Sequence, residues 1–427
     1  MIIISERVNY IRGNVHMLKD SFMSHAVLVL ASQVIGVTKI YDIAFNDDIA
    51  QTIKSLNLLG VKIKYNKNHN ICTVQGIGVG GFFCSEDALY LCDPSIYMII
   101  GCLSNCPFTS FLCGCSYLDI GKVIKPLVLM GARFISNYEK LPIALVGCID
   151  MLPINYTAEE EEVRAALLFA AINTCGVTTI INPVGSDRVV PILQYFGVSM
   201  EYSVDRKRIS ISGQQELYSK DVCIPNDFFF MLSFITTALI LKDSEIIILN
   251  VLLNNKMRNF YKILMKMGGN IFFINKRTNI IGEEIVDLLV KTSILHGVDY
   301  LVNEDFDIDE YLVMIIISAF ANGITVLGGI LNIGFIAQKL NIVINGLIEC
   351  GVKIESRGDD LIIYGSSGNI LGGNLVNAYY DLKIAVSFII IGMISNSCIK
   401  IKNIRKTSDF IAIIKLFNKH GAKIRIT

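Results

Sequence analysis

No apolar run in this sequence is long enough to cross a bilayer, although a mean hydropathy of +0.53 invites the search. The longest uncharged apolar stretch, Phe228 to Leu241, falls short of the 18 or so residues a spanning helix needs. Ile384 to Ile394 is shorter still. Near the start, Glu6 and Arg7 interrupt any signal-peptide core, so a cytoplasmic location is expected. Charge is scarce, and its 38 basic and 38 acidic side chains cancel. With no global field, neither nucleic acid nor an anionic membrane is an expected partner. Tryptophan is absent and only five histidines occur. The 12 cysteines lack a disulfide framework. Cys102, Cys106, Cys113 and Cys115 crowd together without paired CxxC spacing, which favours buried thiols over structural zinc. The GxxxxGKS phosphate loop and the dinucleotide fingerprint are missing as well.

What is present is a repeat. The phrase L-x-x-L/F/M-G-x-x-I recurs around Gly60, Gly131, Gly197, Gly268, Gly351 and Gly421, at intervals of 71, 66, 71, 83 and 70 residues. A period this long marks a repeated supersecondary unit. Before the first glycine, Ile53, Leu56 and Leu59 are apolar at helical spacing. After it, Val61 and Ile63 alternate with Lys62 and Lys64, as in a half-buried strand. Glycine at the junction can take the left-handed conformation that stops a helix. A second phrase precedes the first in most copies, at Gly36, Gly176, Ser244, Gly323 and Ser397, and follows runs that are apolar all round. Such runs predict helices buried inside a domain. The residues thus predict six units of strand, helix, strand, helix and strand. At 427 residues, the chain suits two α/β domains of three units each, changing near Asp221 to Pro225.

Several segments then match, in order, the motifs of one family. Asp20 to Ala26 sits on DKSISHR, Lys125 to Ala132 on xPLxxMGA, Glu162 to Leu168 on QVKSALL and Ile224 to Asp227 on VPGD. Asn250 to Asn254 sits on NVxLN, Ile308 to Glu310 on IDE and Lys406 to Ser408 on KTS. Over nearly its whole length the chain resembles the EPSP synthase branch of the enolpyruvyl transferase family. The resemblance implies two domains of three βαβαββ-type units around buried helices, an inside-out α/β barrel-like fold. One domain would comprise 1–13 plus 224–427, the other 14–223, with the active site in the cleft between them. It implies transfer of enolpyruvyl from phosphoenolpyruvate to the 5-hydroxyl of shikimate 3-phosphate. A monomer needing neither metal nor organic cofactor is expected, with small anionic substrates as its partners.

Carried over residue by residue, the family's catalytic acids fall on Asp309 and Glu310. Its substrate-binding positions fall on Ser24, His25, Arg164, Lys406 and Lys383, the last in place of an arginine. Each residue also has a plainer reading. Asp309 is either a base or a first-turn acid, and Lys406 either an anion ligand before a Thr407 or Ser408 cap or part of a solvated turn. Arg164 either binds substrate or pairs with Glu160 at i, i+4. His25 either touches ligand or is a buried, satisfied histidine.

Elsewhere the chain departs from the family. Ser21 and Ala26 replace the lysine and arginine of DKSISHR, and Lys19 lies one slip away. The glycine-rich GNxGTTxR corresponds to Asp93 to Ile100, RPM to Leu118 to Ile120, KESDR to Phe335 to Lys339, and HGDHR to Tyr379 to Lys383. An acidic run, Glu159 to Glu162, replaces the serines before QVKS. The expectation is a scaffold retained with its reaction weak or lost, or turned to ligand or partner binding without catalysis.

Overall fold

The computed structural model describes residues 1–114, 120–181, 188–204, 207–301, 308–332 and 336–427. They form two compact units, Met1–Leu18 with Pro225–Thr427, and Lys19–Ile224. Each has its own continuous apolar core. The chain passes between units after Leu18 and after Ile224, whereas the sequence reading divides it after residues 13 and 223. The first difference has a physical reason. Arg12–Val15 is a strand paired in parallel with Glu245–Leu252, which holds residues 14 and 15 in the first unit.

Three four-stranded sheets belong to each unit, and all six share one plan. The stretch from Leu89 to Val146 shows it whole. Strand Leu89–Leu91, helix Ser95–Ser104, strand Thr109–Gly114 and helix Gly121–Met130 are followed by the hairpin Arg133–Asn137 and Lys140–Val146. The first two strands are parallel and the remaining pairings antiparallel. The residue-level reading lacked the last strand of the hairpin, so the repeat is βαβαββ. Three sheets borrow a strand from a distant part of their own unit. Val222–Cys223 lies beside Ile35–Tyr41, and Arg12–Val15 beside Glu245–Leu252. Ile3–Glu6 lies between Ile399–Lys402 and Lys423–Ile426.

The six phrase glycines have like surroundings. All take positive φ, from 92° to 118°. Each N–H donates three residues back, as Gly60 does to Asn57, and the next N–H reaches five back, as Val61 does to Leu56. This is the Schellman arrangement, in which a left-handed residue satisfies the last helical carbonyls and turns the chain into a strand.

The two helices of a repeat differ as their sequences require. The first is buried all round, as Ser95–Ser104 and Leu382–Ile394 show. The second is amphipathic: Asp47–Leu58 buries Ile49, Thr52, Ser55 and Leu56 and leaves other positions to solvent. The two parallel strands of each sheet run toward helix N-termini, so polar residues at their carboxyl ends gather at one end of the repeat. Open α/β sheets place ligands at such strand ends.

Candidate functional site

In the first unit, the packing of two buried helices brings Asp309 and Lys383 together. Helix Ile308–Phe320 carries Asp309 and Glu310 in its first turn, and Leu382–Ile394 carries Lys383. The Lys383 ammonium forms an ion pair with Asp309 Oδ1, and both side chains are largely buried. The approach is that of two charges, without the alignment of a hydrogen bond. Lys383 Nζ also lies 5.9 Å from the centre of the Phe229 ring.

Asp381 completes the arrangement. It is the N-cap of the Lys383 helix, and its Oδ1 accepts the amide N–H of Lys383 at 2.8 Å and that of Ile384 at 3.1 Å. Its Oδ2 holds Lys339 Nζ at 2.8 Å, from helix Ile336–Glu349. Burial alone would raise the Asp381 carboxyl. The charge and hydrogen bond of Lys339, the Ile384 amide and the Lys383 charge outweigh it and keep the group below the usual carboxylate range. An alternating series, Lys339, Asp381, Lys383 and Asp309, therefore links three helices. Asp381 and Lys339 are the members that sequence reasoning missed as site residues. Their only signal was position: Asp381 falls on the central acid of HGDHR and Lys339 on the last residue of KESDR.

Glu310 points elsewhere. Its side chain is fully buried in the core, close enough to Tyr261 to help burial raise that phenol. Lys406 is exposed and forms no ion pair among the described residues, while Thr407 is the cap, accepting the Phe410 N–H at 3.2 Å. Glu304, Asp305 and Asp307, the acids that precede Asp309 in sequence, lie outside the described residues. So do Cys115, Leu118, Asp119 and Phe335.

In the second unit, the candidates turn to internal partners. Ser24 Oγ donates to the Asp20 carbonyl at 2.8 Å and accepts the Ala44 N–H at 3.1 Å. His25 is fully buried, with Nδ1 3.0 Å from Thr52 Oγ1. Lys19, the residue one slip from the missing lysine, pairs with Asp42 at 2.9 Å. Arg164 directs its guanidinium at the carbonyls of Glu159, at 2.6 Å, and Ala158, at 3.4 Å. Glu160, the residue offered as an alternative partner for Arg164, is held by Lys122 at 2.9 Å. Lys122 is also the main cause of its lowered pKa, to which the Arg164 charge adds a smaller share. A further arginine went unnoticed in the sequence. Arg188 grips Glu161 through two N–H groups at 2.8 and 3.0 Å and lies 3.8 Å over the Phe22 ring. Among the described residues, no three His, Cys, Asp or Glu side chains gather as a metal-binding group, and no helix is long and apolar enough to cross a membrane.

His25 yields a pH prediction. Burial lowers its pKa from the ordinary 6.5 to about 3. Between those values the unfolded chain binds a proton that the folded chain refuses, so stability falls as pH drops below 6.5. From pH 7 to pH 5 this residue alone should remove about 2 kcal/mol. Urea unfolding at the two pH values should show a smaller loss for His25→Gln than for the parent. Equal losses would contradict the assignment.

Residues 5–409 match the family model for EPSP synthase (3-phosphoshikimate 1-carboxyvinyltransferase). The chain belongs to the EPSP synthase family. A 3-phosphoshikimate 1-carboxyvinyltransferase of Nitrobacter winogradskyi is 31% identical, the match covering 96% of this chain and 95% of that protein. The one from Zymomonas mobilis is 30% identical, over 99% and 97%. In fold, the family member from Acinetobacter baumannii superposes with a TM-score of 0.78 at 24% identity over the full length of both chains. The enolpyruvyl transferase NikO of Streptomyces tendae gives 0.66 at 15% identity, covering 99% and 98%. The α/β fold is thus that of solved EPSP synthases.

Proposed function

We propose that this chain performs the family reaction weakly, moving enolpyruvyl from phosphoenolpyruvate to the 5-hydroxyl of shikimate 3-phosphate, a step toward chorismate and the aromatic amino acids. The observation that carries this reading is the buried Asp309–Lys383 ion pair. It joins an acid at the family's base position to a cation at a substrate-binding position. In this reading Asp309 takes the proton of the attacking hydroxyl, and Lys383 and Lys406 face the anionic groups. Losing one preorganised donor costs about 10²–10³ in rate, so the substitutions at Ser21 and Ala26 alone predict a deep loss.

A second reading, a scaffold that binds a ligand or partner without catalysis, is favoured by the second unit. There Ser24, His25 and Arg164 are buried and bonded to their own surroundings.

Purified protein given both substrates should release phosphate and form the enolpyruvyl ether at least about a thousandfold more slowly than the Nitrobacter relative. An equal rate would overturn the claim of weakness, and no ether at all would leave the non-catalytic reading. Calorimetric titration with shikimate 3-phosphate separates the two further, since the catalytic reading requires saturable binding.

A further inference from the structure

Tyr379 and Tyr380 stand consecutively in left-handed backbone, with φ of 48° and 61°. Large L side chains avoid this conformation because Cβ crowds the neighbouring carbonyl. It is held by three hydrogen bonds. The Tyr379 N–H donates to Asn377 Oδ1 at 2.9 Å, the Tyr380 N–H to the Asn403 carbonyl at 2.7 Å, and the Asp381 N–H to the Ala378 carbonyl at 2.8 Å.

The repeats provide an internal control. The same connection, from the first strand of a sheet to its buried helix, is described at residues 92–94 and 158–160, and no residue there has positive φ. Tyr138 and Glu139 are also left-handed, but they form the two-residue turn of a hairpin, which demands it. The fold therefore does not require the strain at Tyr379 and Tyr380. Packing does not offset it either. The two residues are 61% and 60% exposed, and neither phenol has a hydrogen-bond partner among the described residues. Strain that the fold neither requires nor repays is a mark of a functional segment.

The surroundings specify what could use the rings. Asp381, the next residue, holds Lys339 and caps the helix of Lys383. The Asn403 carbonyl ties Tyr380 to the loop that carries Lys406. Two exposed tyrosines thus stand beside a loop whose Lys406 ammonium forms no ion pair among the described residues.

We propose that Tyr379 and Tyr380 form a stacking platform for a planar, unsaturated ring whose anionic substituent is met by Lys406. The inference rests on reading this end of the first unit as an anion site, and the probes below test the two ideas separately. Inorganic phosphate, phenyl phosphate and cyclohexyl phosphate are titrated calorimetrically into the full chain. Phenyl phosphate should bind about tenfold more tightly than its saturated counterpart. Tyr380→Gly should abolish that preference, leave inorganic phosphate unchanged and raise the urea midpoint, because glycine relieves the strain. Tyr380→Phe keeps the ring and should keep the preference. Lys406→Met should weaken all three ligands. Failure of inorganic phosphate to bind overturns the anion site. Phosphate binding without a ring preference, or a preference that survives Tyr380→Gly, overturns the platform.

Discussion

Replacing Lys383 by methionine should destabilise the protein by about 3–5 kcal/mol, as loss of one partner from a buried ion pair does. The Asp309 side chain is 12% exposed and that of Lys383 25%, so water could re-solvate the stranded carboxylate only in part. The cost is mainly the desolvation of that charge, and not the worth of the pair. The double variant Asp309→Asn with Lys383→Met should accordingly recover most of the loss. Urea unfolding of parent, single and double variants measures this directly. A single variant within about 1 kcal/mol of the parent would mean that the two groups are solvated and the pair is loose. Asp381→Asn should behave differently. Asparagine still caps the helix, so the losses are the contact with Lys339, which is 38% exposed on its own side, and the smaller attraction of the Lys383 charge.

Phe234→Ala should cost about 3–5 kcal/mol through a cavity in the first unit. The ring is fully buried and stacks on Phe417 with centroids 4.0 Å apart. Phe234 lies on helix Phe228–Ile240 and Phe417 on Ser408–Lys419, so the pair joins repeats at opposite ends of the unit's main segment. Phe234→Leu should lose much less, since most of the volume stays. Chemical denaturation of the two variants tests the ranking. A loss below about 1 kcal/mol for alanine would show that the neighbouring helices close the gap.

The repeat could be read from residues because its junction has only one good chemical solution. A helix that turns at once into a strand needs a left-handed residue there, and glycine supplies it at Gly60, Gly131, Gly197, Gly268, Gly351 and Gly421. A second glycine series was equally present and went unread. Gly76, Gly147 and Gly213 each follow the junction glycine by 16 residues, and Gly365 follows by 14. An added Cβ at these four would lie 1.7–2.1 Å from the carbonyl of Val34, Cys106, Thr174 or Ala321. In these four repeats they mark the last strand of the hairpin, the element missing from the residue-level unit.

The candidate site was legible only in part, for a different reason. Asp309 and Lys383 stand out in motifs, but Asp381 and Lys339 acquire meaning through contacts that sequence order conceals. At Ser24 and His25 the motif conceals the partners that the fold supplies, the Asp20 carbonyl and Ala44 N–H for the serine and Thr52 Oγ1 for the histidine.

The strand Ile3–Glu6 sits between two strands made from the last 30 residues of the chain, with Ile2 and Thr427 exchanging backbone hydrogen bonds at 2.9 and 3.0 Å. A ribosome therefore delivers one edge of the closing seam first and the other last. The unit Lys19–Ile224 draws every strand of its sheets from residues already synthesised by Ile224, and it can mature while its neighbour is still arriving. Ile3–Glu6 must wait, unpaired, until Ile399–Lys402 and Lys423–Ile426 have been made. Once the seam has closed, Ile2 and Thr427 are neighbours, and a short peptide splice between residues 1 and 427 would turn this segment into a ring without moving a strand.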